Sequence, residues 1–300
     1  LKRILVIKLG ALGDFVLAFG PFATIRAHHP GAAITLLTTA PFADLARAAP
    51  WFDTVVIDSR PAWWNFPGLL RLRRTLRGFD MVYDLQTSSR SSRYHWLAGA
   101  PPWSGIAGGA THPHATPNRN AMHTVERQQD QLRMAGITEF AVPDITWLAQ
   151  VPPEMLPEPY AVLVPGAAPH RPRKRWPATH FGALATLLSG KGVTPVIVGT
   201  RQDAPLAASI RAIHPAAIDL TGRTSLRQLA AVASGASFAV GNDTGPLHLA
   251  AATGIPCIAL FSDESDPALT SPRGQVTVLS APSLADLSVQ RVAEALPPVH

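Results

Sequence analysis

Three hundred residues, 47% apolar and only 15% charged, describe a folded chain long enough for two domains of ordinary size and exclude an intrinsically disordered one. The formal charge of +6, with eleven histidines besides, favours anionic partners. Phosphorylated small molecules and an anionic lipid surface both fit, whereas scattered arginines and the lack of any zinc-finger or RNA-binding signature argue against nucleic acid.

The chain opens on an apolar run at 4–7 that mimics the start of a secretion signal, but Lys8, Asp14 and the glycines between them interrupt it. The expectation is a cytoplasmic protein. Cys257, the single cysteine, allows no internal disulfide, fits a reducing compartment and reads as a small core residue rather than a nucleophile. No stretch is long and apolar enough to span a bilayer.

Strand-like and helix-like segments then alternate: a strand at 4–7, a helix at 15–28, a strand at 34–38, a helix at 42–48 and a strand at 55–58. A basic helix at 69–76, a strand at 81–85 and a helix at 124–135 follow, with 99–116 read as an irregular loop rich in Gly, Pro and His. Prolines crowd 142–159, which reads as a linker. The alternation restarts with strands at 160–164, 194–198, 217–220, 236–240 and 256–261, and helices at 178–188, 204–213, 226–233, 247–253 and 286–296. Such an order predicts an α/β fold of two tandem doubly wound, Rossmann-like domains, 1–150 and 151–300.

Several strand ends carry loops suited to chemistry. Gly241-Asn242-Asp243-Thr244-Gly245-Pro246-Leu247-His248 joins a strand to a helix start; Asp243 reads as an N-cap, Gly245 admits a ligand to the backbone, and the amides of the first helical turn attract phosphate. His248, four residues after Thr244, shares its helix face. An ordinary capped helix is the competing account. The loop Lys8-Leu9-Gly10-Ala11-Leu12-Gly13-Asp14 lacks a Gly-x-Gly-x-x-Gly fingerprint, and a carboxylate would repel pyrophosphate, so Asp14 is either a helix cap or a base aimed at a hydroxyl. Gly166 lies in a small-residue loop ahead of Arg171, Arg173, Lys174 and Arg175, a cluster that either holds a negatively charged leaving group or is simply solvated. Arg90, Arg93 and the four arginines set among leucines in 69–77 read as a cradle for a phosphorylated lipid acceptor at the cytoplasmic face of the inner membrane, or as a solvated amphipathic surface. His112, His114 and His123 fall in a Pro-rich stretch without supporting carboxylates, which argues against a metal site.

Taken together, the stretch from Ile4 to Asp14, Lys174-x-Trp176-Pro177, Leu220-Thr221-Gly222-x-Thr224-Ser225-Leu226 and the run from Gly241 to Ala250 resemble the bacterial ADP-heptose:lipopolysaccharide heptosyltransferases, glycosyltransferase family nine. The resemblance implies a GT-B arrangement with acceptor held mainly by the first domain, nucleotide-sugar by the second, and reaction in the cleft between. It implies a metal-independent inverting transferase with no cofactor beyond its substrate ADP-sugar, and a lipopolysaccharide-core-type, lipid-linked saccharide as acceptor. Asp14 is then the base and Gly13 an acceptor contact. Lys174 meets the diphosphate with Arg175 and Gly166 beside it, Asp243 a sugar hydroxyl, Thr244 and Gly245 the phosphates, with His248 nearby. Asp203 only roughly matches an acidic residue expected after the strand that ends at Gly199. Two other classes compete: a non-catalytic nucleotide or phospho-ligand binding protein, and a nicotinamide-dependent oxidoreductase, which the missing glycine fingerprint disfavours.

Overall fold

The computed structural model describes residues 1–149, 155–168 and 171–298. Part of the proline-rich 142–159 stretch, and Pro169, lie outside them. Contacts divide the chain into two compact units, Leu1–Trp147 and Leu148–His300.

In the first unit the described residues form β1 (Arg3–Ile7), β2 (Ala33–Thr38), β3 (Thr54–Ile57), β4 (Met81–Asp84), β5 (Trp103–Gly105) and β6 (His112–Pro113). They pair in parallel in the order β3-β2-β1-β4-β5-β6. Ile4, Leu5, Val6 and Ile7 are fully buried, as a parallel strand covered on both faces requires, and the unbroken apolar run records that. The crossover helices are α1 (Leu12–Val16), α2 (Phe19–His28), α3 (Ala40–Ala48), α4 (Phe66–Leu76), α5 (Ser89–Ala98) and α6 (Thr124–Met134).

The single helix expected over 15–28 is broken at Leu17 and Ala18. Pro21 explains the break: its ring lacks an N–H and would collide with the carbonyl of Leu17 in a continuous helix. The stretch 99–116, expected to be irregular, contains β5 and β6, which are too short to leave an apolar run in the sequence. Helix α5 is specified locally by a Ser88–Ser91 capping box and a left-handed Gly99.

The second unit forms β7 (Tyr160–Val164), β8 (Thr194–Ile197), β9 (Ile218–Asp219), β10 (Phe238–Asn242), β11 (Cys257–Phe261) and β12 (Val276–Ser280), all parallel, in the order β12-β11-β10-β7-β8-β9. Its helices are α7 (Ala178–Gly190), α8 (Ala204–Ile213), α9 (Leu226–Ser234), α10 (Gly245–Ala252), α11 (Pro267–Thr270) and α12 (Val289–Glu294). Trp176, Phe181, Leu184, Phe238 and Val240 belong to its core. Cys257 is buried, and burial pushes its thiol up to about 12, so it stays protonated and inert.

Numbered from its own first strand, the second sheet repeats the order of the first. In each, the direction of winding reverses between two central strands, β1 and β4 or β7 and β10. The carboxyl ends of such a pair diverge and leave room for a ligand.

Candidate functional site

At the switch point of the second unit, Asn242 closes β10 and is fully buried. The Trp176 amide donates to its Oδ1 (2.9 Å), and its Nδ2 donates to the carbonyls of Pro165 and Gly166 (2.8 and 3.2 Å). One side chain thus fixes the ends of β7 and β10 and the start of α7. Trp176, buried against Phe181 and donating through Nε1 to the Leu287 carbonyl (2.8 Å), anchors the Lys174 turn to the core.

The next residue, Asp243, is nearly buried. Lys174 Nζ donates to its Oδ2 at 2.7 Å, Ser265 Oγ donates to the same oxygen at 2.9 Å, and His248 Nε2 lies 3.5 Å from Oδ1. Burial by itself would raise this carboxyl, but the hydrogen bonds and positive charge of His248 and Lys174 outweigh it and hold the group below its ordinary range. Asp243 is therefore not the helix cap expected from sequence: Thr244 occupies the N-cap position, without a side-chain cap bond. Of the first-turn amides expected to attract phosphate, few are free. The amides of Leu247 and His248 already donate to the Thr244 carbonyl and Pro246 has none, which leaves those of Thr244 and Gly245 for a ligand.

Gly166, Arg175, Thr244 and Gly245 line one cavity of about 650 Å³, together with Gly199, Thr200, Gln202 and Asp203. Its wall is set by Asp203, whose Oδ2 accepts from the amide and hydroxyl of Thr200, both at 2.8 Å. A Cβ on Gly166 would lie 2.7 Å from Asp203 Oδ1, so any larger residue would have to displace the carboxylate that Thr200 holds. Arg175 donates to the Ala167 carbonyl (3.0 Å), and its Nε has no partner among the described residues. Asn242, Ser265, Thr200 and Gln202 were not assigned roles from sequence, since a buried amide at a strand end or a lone serine in an acidic loop carries no spacing signal. Asp203, only a rough match by sequence, is a full member of the cavity wall.

In the first unit, Asp14 lies in the first turn of α1, with Ala11 at the N-cap; Asp14 does not cap the helix. Its loop is braced from both sides. Leu9 N–H donates to Gln86 Oε1 (2.8 Å), and the Leu9 carbonyl accepts from Thr39 Oγ1 (3.0 Å) and Arg60 (2.9 Å). Lys8 is buried and donates to the Leu85 carbonyl (3.1 Å). Burial lowers its pKa, opposed by the charges of Asp14 and Asp84. Asp84 is buried as well, and burial pushes it up to about 6 although the amides of Gln86 and Thr87 donate to it (both 3.1 Å).

Arg90 and Arg93 form a separate group, each guanidinium 5.2 Å from the centre of the Trp63 ring. Of the three histidines weighed for metal, His114 has both ring nitrogens engaged, by Asp130 (3.0 Å) and Arg119 (3.3 Å), and His123 accepts from the Val125 amide (3.2 Å). Among the described residues no three His, Cys, Asp or Glu side chains converge on one point.

Two all-parallel sheets in the dinucleotide-binding strand order define the class, an α/β protein built of Rossmann-like units. More particularly, the chain belongs to glycosyltransferase family 9 (heptosyltransferase), whose pattern matches residues 69–293. The residues expected on the donor side all fall inside that match; Gly13 and Asp14 precede it. Lipooligosaccharide heptosyltransferase 2 of Haemophilus influenzae is 34% identical over 119 residues, 38% of this chain and 34% of that enzyme, so the match spans about a third of the relative's length. The solved ADP-heptose lipopolysaccharide heptosyltransferase II of Escherichia coli superposes with a TM-score of 0.77 at 25% identity, covering 98% of this chain and 97% of that one. An Escherichia coli heptosyltransferase solved with ADP-2-deoxy-2-fluoro heptose shares the fold at a TM-score of 0.80 and 23% identity, with 98% of each chain covered.

Proposed function

We propose that the protein transfers heptose from ADP-heptose to a lipid-linked saccharide of the lipopolysaccharide-core type, inverting the anomeric centre without a metal. Family membership and the relative solved with an ADP-heptose analogue support the donor. The observation that carries the reading is the Lys174–Asp243 ion pair beside a glycine-walled cavity at a switch point, a place where a diphosphate and a sugar hydroxyl each find a complementary charge.

In this scheme Asp14 removes the proton of the acceptor hydroxyl as that oxygen attacks the anomeric carbon, and the bond from carbon to the diphosphate oxygen breaks. Attack on the face opposite the leaving group gives inversion. Lys174, Arg175 and the amides of Thr244 and Gly245 offset the charge growing on departing ADP, the service a divalent ion gives elsewhere. Asp243 Oδ1, free of the Lys174 and Ser265 bonds, accepts from a donor-sugar hydroxyl, with His248 beside it. Asp203 accepts from the ribose. Gly13 allows the acceptor near the base, and Arg90 and Arg93 meet its anionic groups. The work is placed at the cytoplasmic face of the inner membrane, in peripheral contact with it.

ADP release from ADP-heptose plus core acceptor, followed with and without a chelator, tests the proposal. Turnover that needs both substrates and survives chelation is expected. Turnover lost on chelation and restored by a divalent metal removes the metal-free scheme, and donor binding with no ADP release under any condition removes the transferase.

A further inference from the structure

Residues 59–125 hold eight arginines and two aspartates, with no lysine or glutamate, a formal +6 equal to that of the whole chain. The remainder is balanced. Arg71, Arg73 and Arg74 on α4 are exposed and, among the described residues, have no ion-pair partner. Beside them lies an apolar surface: Trp64, Phe66 and Leu70 are 80%, 76% and 53% exposed. Trp63, one residue earlier, is covered by Arg90 and Arg93, so the bare indole of Trp64 stands next to a covered one. Phe66, Leu70 and Arg73 also line a groove of about 460 Å³ between α4 and α5 that Leu69 and Leu97 complete. Phe66, Leu70 and Arg74 follow at spacings of four, which puts bulky apolar groups and cations on one stripe of the helix.

Exposed aromatic side chains of this size, clustered, mark a surface that something covers. The charge decides what. Indole and phenyl rings at headgroup depth, flanked by arginines that reach phosphates with their stems along apolar surface, suit an anionic bilayer. We infer that the loop and first turns of α4 dock the first unit on an anionic membrane, Trp64, Phe66 and Leu70 entering the headgroup region and Arg71, Arg73 and Arg74 lying against lipid phosphates. The inference rests on the lipid-linked acceptor proposed above and says which face of the chain approaches it.

Co-sedimentation of the full chain with phosphatidylglycerol–phosphatidylethanolamine vesicles, against phosphatidylcholine vesicles, tests it. Binding to the anionic vesicles that weakens as salt rises is expected. The double substitution Trp64→Ser, Phe66→Ser should lower partitioning by roughly tenfold or more, and Arg71→Gln, Arg73→Gln, Arg74→Gln should remove most of the salt dependence. The Trp64, Phe66 double variant should keep full ADP release on a delipidated, water-soluble acceptor. Failure of the unaltered protein to bind anionic vesicles, or unchanged partitioning in the double variant, overturns the docking face. So does tight binding of an acidic protein at this face with vesicles ignored. Vesicle binding that behaves as expected while the unaltered protein releases no ADP on the soluble acceptor would instead remove the transferase reading and leave the docking face standing.

Discussion

Asp14 and Lys174 would divide one reaction between a proton acceptor and a charge that balances the leaving group, and each leaves a different kinetic mark. Asp14→Asn should keep donor affinity near that of the unaltered protein while turnover falls about 100- to 10,000-fold, because general-base catalysis acts only on the chemical step. Donor titration beside single-turnover ADP release distinguishes this from a binding defect. Lys174→Ala should raise the donor KM and lower kcat together, since the same cation meets the diphosphate before and during departure; unchanged kinetics would reduce it to a partner of Asp243.

Asp84 gives a pH signature. Its folded-state pKa of about 6 lies above the ordinary carboxylate value, so between these two limits the folded chain holds a proton that the unfolded chain has released. This group therefore adds stability as pH falls from 7 toward 4 and withdraws it as pH rises. Asp84→Asn removes that term. Urea unfolding at pH 7 and pH 5 should show the variant gaining most, relative to the unaltered protein, at pH 7, with the difference shrinking at pH 5.

Among the elements, strands with continuous apolar runs were legible because burial on both faces leaves no polar alternation: β1, β7, β10 and β11 lie where the sequence puts them, within two residues or so. Elements of two or three residues, such as β5 and β6, have too few side chains to write a pattern. The split between α1 and α2 was written in Pro21 and overridden by the apolar periodicity around it. For the site, glycines and charged residues at strand ends pointed to loops whose Gly166, Arg175, Thr244 and Gly245 line one cavity, whereas the tie between them, Asn242, had no such signal: its value lies in three partners distant in sequence. Asn242→Ala should strand the Trp176 amide and the Pro165 and Gly166 carbonyls, at about 1–3 kcal/mol for each buried group left unpaired. A lowered urea midpoint together with weaker donor binding is the expected outcome. Loss of stability without any loss of donor affinity would separate that tie from the cavity it borders.

For the whole molecule, what composition shows as a modest +6 with scattered arginines is a balanced chain whose excess charge falls within one segment, 59–125. No helix among the described residues is long and apolar enough to cross a membrane. The shared strand order has a kinetic consequence. Every neighbouring pair in either sheet is parallel, so no two adjacent strands can be zipped by a tight hairpin, and every pair but β5–β6 must await a helix-bearing excursion of the chain. Long closures come before the contacts that reward them, which makes refolding from denaturant slow for a protein of this size and leaves unpaired edges exposed meanwhile. Dilution from urea at low protein concentration should therefore recover far more native chain than the same dilution at high concentration, with the deficit appearing as aggregate.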